Sequence, residues 1–437
     1  MFKRFIQRHL ESYVIKYFQA HPEVKLVVVT GSVGKTSTKR AVATLLSQRY
    51  RVRMLDNNHN TELSAPCGIL GVAYPVGKVH SIGAWLRVFR AAHRRVVEPA
   101  DVDIVVQELG TDHPGEIADF GRYLRPDLAL VTAVTPEHME FFGSLDVVAQ
   151  EELEVANYSR HVLLNRDDIE GRFARLIANP NFNTYGTTGL SEYRFEQHDF
   201  SAETGYRGMV IAPPEVAQPF MVSINVIGEH SLRPIMGAVA AALHYGVAPD
   251  AITEGLRLIR PVPGRMNPLV GIGGTIIIDD TYNSSPAAAL AALQTLYSFS
   301  QAPQRIAILG DMNELGASSQ PEHEKLGAAC DPSLLDWVVT VGSEAGKYIA
   351  PAAQHRGCQV KVCRDAIEAG RFVRSVSQIG AVILAKGSQG GIFLEEAVKI
   401  LCVTSEFANL VRQSPEWMAI KAPHFSQYED FIGGGRR

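Results

Sequence analysis

At 437 residues, 46% of them hydrophobic, the chain is too long for one ordinary domain and can bury at least two cores, while a net charge of −4 does not suggest a nucleic-acid-binding surface and leaves room for local basic stretches. Its five cysteines, Cys67, Cys330, Cys358, Cys363 and Cys402, are scattered without a CxxC pair, which argues against a disulfide framework or a zinc site and fits a reducing compartment. With no apolar run of about 18 residues and no signal-peptide core at the start, the expectation is a cytoplasmic protein, taken as a monomer.

In chain order, Phe2, Phe5, Ile6, Leu10 and Val14 recur at helical spacing beside Lys3, Arg4, Arg8 and Lys16, which predicts a basic amphipathic helix. Such a helix either docks on its own domain or makes a peripheral membrane contact through residues 2–18. Next, the run Val27-Val28-Val29-Thr30 empties into Gly31-Ser32-Val33-Gly34-Lys35-Thr36-Ser37, with a helix predicted from Lys35 to Gln48. This order of strand, Gly-rich turn and helix reads as a nucleotide-phosphate cradle. Glycines let backbone N–H groups converge on an anion, and the helix points its positive end there. Lys35 can reach the terminal phosphates, and Thr36 can offer its hydroxyl to Mg²⁺. Only two residues separate Gly31 from Gly34, where the general P-loop pattern has about four. ATP is the expected cofactor.

A second basic amphipathic segment, Ile82 to Val97, carries Trp85, Leu86 and Phe89 with Arg87, Arg90 and Arg94, and is predicted as a packed surface helix. Strands at 103–109, 127–134 and 161–164 alternate with helical patterns, the signature of a parallel sheet covered by helices. Residues 187–226 predict a small antiparallel addition. Helices at 231–245 and 249–259 lead into Arg260-Pro261-Val262-Pro263-Gly264-Arg265, a proline- and glycine-bearing joint. Strands at 275–279, 305–309, 337–341 and 381–385 then repeat the α/β rhythm. The expected architecture is an N-terminal amphipathic helix (1–23), a central P-loop-type parallel-sheet domain (24–260) and a Rossmann-like α/β C-terminal domain (261–437), with a frayed Gly-Gly-Gly-Arg-Arg end.

Ligands gather beyond the carboxyl ends of strands in open α/β sheets. Glu108 closes one predicted strand and His138 follows another, and a carboxylate and an imidazole beside a phosphate loop are natural ligands for Mg²⁺ or Mn²⁺.

At this point the sequence resembles the Mur ligases, ATP-dependent enzymes that build the peptide of bacterial cell wall. The resemblance runs from Val24 to Cys402. It rests on Thr30 to Thr36, Asn60-Thr61-Glu62-Leu63-Ser64-Ala65-Pro66, Glu108-Leu109-Gly110, Pro136-Glu137-His138, Pro263-Gly264-Arg265, Asp279-Asp280-Thr281-Tyr282-Asn283, Leu309-Gly310-Asp311-Met312 and Lys386-Gly387-Ser388. It implies that a substrate carboxylate attacks the γ-phosphate of ATP and that an amine displaces phosphate from the acyl phosphate. Lys35, Thr36, Glu108 and His138 would serve that phosphoryl transfer, leaving Cys67 to packing. It further implies that His230, Arg265 and Asp280 bind the nucleotide, that Asn60 and Thr61 belong to the substrate site, and that Asn283, Asp311, Glu314, Lys386 and Ser388 face the incoming amine.

Three departures from the family pattern carry expectations. Only 29 residues precede Thr30, where relatives carry a uridine-recognising domain, so uridine is held differently or the acceptor is not a UDP-sugar. The family's His-Asn block reads His230-Ser231-Leu232-Arg233-Pro234 here, which keeps the imidazole and loses the amides. The lysine that many relatives carbamylate to bridge metals aligns with Glu152, with Glu151 as the fallback register. The resulting expectation is an amide ligase joining D-alanyl-D-alanine to a muramoyl peptide. The alternatives are a ligase with a different or lipid-linked acceptor and a non-catalytic nucleotide-binding regulator.

Overall fold

The computed structural model describes residues 2–55, 60–201, 204–428 and 431; the C-terminal Gly-Gly-Gly-Arg-Arg tail lies outside them. The chain divides into two compact units, one formed by 1–226 with 230–260 and the other by 227–229 with 261–437.

The first unit is built on a nine-stranded sheet. Its strands are β1 (Lys25–Thr30), β2 (Val52–Arg53), β3 (Ile104–Glu108), β4 (Leu128–Val131), β5 (His161–Asn165), β6 (Phe182–Gly186), β7 (Tyr193–Ser201), β8 (Gly205–Ile211) and β9 (Phe220–Ile224). They lie in the order β2-β3-β1-β4-β5-β6-β7-β8-β9, parallel as far as β7 and antiparallel from β7 to β9. The antiparallel strands predicted within 187–226 therefore extend the main sheet. The helices are α1 (Phe2–Ala20), α2 (Lys35–Leu46), α3 (Ser64–Leu70), α4 (Ile82–Val97), α5 (Glu116–Phe120), α6 (Met139–Phe142), α7 (Leu145–Tyr158), α8 (Leu232–His244) and α9 (Pro249–Leu258).

Side chains of β1 alternate between two cores, as strand geometry requires. Leu26 and Val28 join the core beneath α1, α3, α4 and α7, while Val27 and Val29 join the one beneath α2, α8 and α9. Burial on both faces explains why the central strands are unbroken β-branched and aliphatic runs. Helix α1 is part of this unit. Its Ile6, Leu10, Val14 and Tyr17 are buried, so one side of the helix docks on its own domain. Cys67 lies in the same core.

The second unit carries a six-stranded sheet of β10 (Asn267–Val270), β11 (Ile276–Asp280), β12 (Arg305–Gly310), β13 (Trp337–Val341), β14 (Val360–Cys363) and β15 (Val382–Lys386), ordered β10-β11-β15-β12-β13-β14. All pairs are parallel except the antiparallel edge strand β10. The strand order sets Asp280, Lys386 and Leu309 side by side at one end of adjacent strands.

Candidate functional site

In the first unit β1 sits between β3 and β4, and the chain leaves its carboxyl end through the glycine turn into α2. Gly31 has φ 121°, and a Cβ there would stand 2.3 Å from Thr132 Oγ1 and 2.7 Å from Ala133 N, so the position requires glycine. Gly34, at φ 85°, occupies the left-handed N-cap of α2. Ser32 fixes the turn from its other side through Thr135, whose N–H donates to Ser32 Oγ at 2.8 Å. Val33 and Ser37 are half-buried on either side of the turn.

Lys35 Nζ donates to Gly31 O at 2.6 Å and lies 3.5 Å from Glu137 Oε2. Thr36 Oγ1 donates to Glu108 Oε2 at 3.0 Å, and Asn60 Nδ2 donates to Glu108 Oε1 at 3.3 Å. Lys39, one turn further along α2, is buried with its ammonium 3.5 Å from the same carboxylate. His138 holds a left-handed backbone at φ 49°, with Nε2 3.5 Å from Asp112 and 3.6 Å from Glu137.

Glu152 reaches the loop from α7. Its Oε2 accepts the Thr30 hydroxyl at 2.5 Å and the Gly31 N–H at 2.8 Å. Burial pushes its carboxyl up to about 7, against the opposing pull of Lys35 and the Thr30 bond. Glu151 points elsewhere: it accepts from Gly115 N, Ile117 N and Thr111 Oγ1 and caps α5. Of the two adjacent acids, Glu152 is the one at the phosphate loop. His230 is half-exposed just before α8, and nearby Arg233 binds Asp168 at 2.8 Å. Glu137, Lys39 and Arg233 went unassigned in the sequence. Glu137 had a signal in its place beside His138; Lys39 had only its spacing of one turn from Lys35.

Among the described residues no group of three or more His, Cys, Asp or Glu is poised to hold a metal ion. Mg²⁺ beside nucleotide phosphates needs only one or two protein ligands, the rest being waters and phosphate oxygens. The Thr36 hydroxyl and Glu108 carboxylate, facing each other at a strand end, fit that requirement.

Next to Asn60 lies a cavity of about 540 Å³. Trp85, Leu63 and Phe120 supply apolar lining, and Asn60, Thr61 and Glu116 supply polar groups. Tyr123 lines it too, and its buried hydroxyl has no hydrogen-bond partner among the described residues.

In the second unit, buried Lys386 lies 3.1 Å from Asp280 and donates to the Asn283 carbonyl. Burial holds its ammonium below the usual lysine range, against the opposing effect of Asp280. Arg265 stacks its guanidinium 4.3 Å from the Tyr282 ring centre. Asp280 accepts the Met266 N–H at 3.2 Å, and Met266 takes the left-handed φ of 48°. Ser388 Oγ accepts from Asn313 N at 3.0 Å, and Ser388 N donates to Asp311 O at 3.0 Å. The Asp311 carboxylate accepts the Ala345 N–H at 2.6 Å and so braces the following loop. Glu314 stands at φ 63° in the same strand-end loop. The structure thus gathers Arg265, Asp280, Asn283 and Lys386 in one cluster and Asp311 and Ser388 in a neighbouring one.

Two family models match the chain: the Mur ligase middle domain over residues 29–242 and the Mur ligase, glutamate ligase domain over residues 264–389. The chain therefore belongs to the Mur ligase family and is an ATP-dependent ligase. It is 29% identical over 387 residues to the UDP-N-acetylmuramoyl-tripeptide--D-alanyl-D-alanine ligase of Bacillus subtilis (strain 168), with 86% of this chain and 76% of that protein covered. To the protein of the same name from Escherichia coli (strain K12) it is 28% identical, with 74% of this chain and 65% of that protein covered. Its fold matches crystal structures of MurF from Acinetobacter baumannii (TM-score 0.72, 23% identity, 89% of this chain and 79% of that one) and of the MurF ligase from Thermotoga maritima in complex with ADP (TM-score 0.71, 22% identity, 90% and 83%).

Proposed function

We propose that the chain activates the carboxylate of a muramoyl peptide with ATP and joins it to D-alanyl-D-alanine in peptidoglycan synthesis. The observation that carries this reading is the phosphate loop with Lys35 beside it and the Thr36–Glu108 pair at its exit. Phosphoryl transfer demands chiefly positioning and neutralisation of charge. Lys35 is placed to exchange its bonds to Gly31 O and Glu137 for phosphate oxygens. Thr36 and Glu108 would hold Mg²⁺, which when bound supplies charge neutralisation at the phosphates. Glu152 holds the turn through Thr30 and Gly31, and His138 stands beside Glu137, close enough to orient it. We assign the cavity containing Asn60 and Thr61 to the acceptor peptide, with Tyr123 offering it a hydrogen bond, and Asn283, Asp311, Glu314, Lys386 and Ser388 to the amine. His230, Arg265 and Asp280 are assigned to the nucleotide. ATP use suits a cytoplasmic enzyme.

The experiment is product analysis by mass spectrometry after incubation with ATP, Mg²⁺, UDP-muramoyl tripeptide and D-alanyl-D-alanine. The expected product is the UDP-muramoyl pentapeptide with equimolar ADP and phosphate. Lys35→Ala should lower turnover at least ~10²-fold, the size of one preorganised transition-state donor. Absence of amide product with this pair refutes the substrate assignment, and near-normal turnover of folded Lys35→Ala refutes the phosphate-loop assignment.

A further inference from the structure

Helices α1 and α4 pack together and leave an outward face that the ligase chemistry does not use. Rings join them: Phe5 lies 4.0 Å from His9, His9 5.7 Å from Phe89, and Tyr13 6.3 Å from Phe89. The buried sides, Ile6, Leu10 and Val14 on α1 and Ala84, Trp85 and Val88 on α4, point into the domain. The other side exposes large apolar groups: Phe5 is 54% exposed, Ile82 65%, Leu86 62% and Val97 63%. Apolar side chains of that size, gathered on two neighbouring helices, mark an interaction surface.

The charge around them is one-sided. Helix α1 carries four Lys and Arg against the single acid Glu11, and α4 carries four Arg with no acid. The pair thus has an excess of seven positive charges in a chain whose net charge is −4. Lys3, Arg94 and Arg95 are paired with Glu62, Glu98 and Asp101. Arg4, Arg8, Lys16, Arg87 and Arg90 form no ion pair among the described residues. Unpaired cations flanking protruding apolar groups are complementary to a surface that is anionic outside and apolar beneath. No described helix is long and apolar enough to cross a membrane, so the match is to the surface of a bilayer.

We infer that the α1–α4 face docks the protein on the surface of an anionic membrane, with Phe5, Ile82 and Leu86 entering the interface and Arg8, Arg87 and Arg90 facing lipid phosphates. Phe2 and Lys3 at the start of α1 also line the cavity assigned above to the acceptor, so docking would bring the mouth of that cavity toward the bilayer. The docking itself does not depend on the ligase assignment.

The test is flotation of the full-length protein with vesicles of phosphatidylcholine alone or with about 30% phosphatidylglycerol, at about 0.1 M and 0.5 M salt. Each interfacial cation contributes about fivefold to partitioning on anionic lipid. Removing three, in R8Q/R87Q/R90Q, should lower partitioning by about 100-fold, and high salt should weaken wild-type binding. F5S/L86S should lower it by at least about tenfold. All these residues are exposed and outside the candidate site, so the variants should keep wild-type melting and wild-type turnover on a soluble acceptor. Equal flotation with neutral and anionic vesicles, or unchanged flotation of both variants, overturns the inference. So does a self-associated species in sedimentation that Leu86→Ser dissociates while the wild type fails to float, because the face would then belong to a second copy.

Discussion

Glu152→Gln separates what the fold needs from what the phosphate loop needs. The Glu152 carboxyl is fully buried, and its folded value of about 7 stands above the ordinary 4.5. A folded group that holds its proton more tightly than the unfolded one stabilises the fold fully below about pH 4.5, and that contribution is lost as pH rises through about 7. At about 1.4 kcal/mol for each tenfold change in acidity, the ionised carboxylate costs the native state about 3 kcal/mol at pH 8. Glutamine keeps an oxygen to accept from Thr30 and Gly31 and never ionises. The first unit of Glu152→Gln should therefore melt about 6–12 °C higher than wild type near pH 8 and at the same temperature near pH 4.5, while turnover falls because a loop anion is gone. Scanning calorimetry across that range reads the difference directly. A variant that is less stable near pH 8, or equally shifted at both ends, refutes the claim that burial of this charge governs the group.

Gly31→Ala forces a Cβ against Thr132 Oγ1 and the Ala133 backbone at a positive φ, so ADP affinity should fall at least about tenfold and the fold by about 1–3 kcal/mol; calorimetric titration measures the first and urea melting the second. Lys421→Met in the second unit removes the ammonium lying 2.7 Å from Glu395 and 2.6 Å from Glu396, all three buried, and should destabilise by about 3–5 kcal/mol by stranding those carboxylates; a smaller loss in denaturant melting would show that Arg412 and Gln413 suffice for both. All five cysteines are free and buried, and burial pushes the Cys67 and Cys330 thiols up to about 12, so a disulfide reagent near pH 8 should find almost no reactive thiol until the protein is unfolded.

The central strands were legible because double burial leaves them no polar face: the runs through Val27, Val105 and Leu130 could only be strands of a covered parallel sheet. Their ends were read to within three residues. Four strands escaped notice. The pair Val52–Arg53 is too short to show a period, and Asn267–Val270 contains Pro268, tolerated because that strand lies at an edge. Phe182–Gly186 and Val360–Cys363 carry polar residues that resemble loop sequence. Lys35, Thr36 and Glu108 could be paired in advance because strand-end position and residue type coincide there. Lys39 could not, since a lysine in an amphipathic helix is ordinarily solvated, and only the fold shows it buried against Glu108. Glu151 and Glu152 are both buried acids, and one residue along α7 rotates a side chain by about 100°. That rotation sends the first to the amides of α5 and the second to the phosphate loop.

The side chains of the phosphate loop are engaged with one another and with the turn, which bears on how it would take its nucleotide. Lys35 rests on Gly31 O and near Glu137, Thr36 donates to Glu108, and Glu152 occupies the Thr30 hydroxyl and the Gly31 N–H. None of these contacts requires the backbone to move in order to be exchanged. A phosphate oxygen can replace Gly31 O as the acceptor for Lys35 while the glycine conformation stays as it is, held by Thr132 and Ala133 on its other side. The reorganisation is then confined to side-chain torsions, which cost far less than refolding a loop. Positioning of this kind, made when the chain folds, is what phosphoryl transfer asks of a protein. The buried carboxylate at Glu152 shows the same trade within one residue: a charge the fold would be more stable without, retained where it fixes the turn that meets the phosphates.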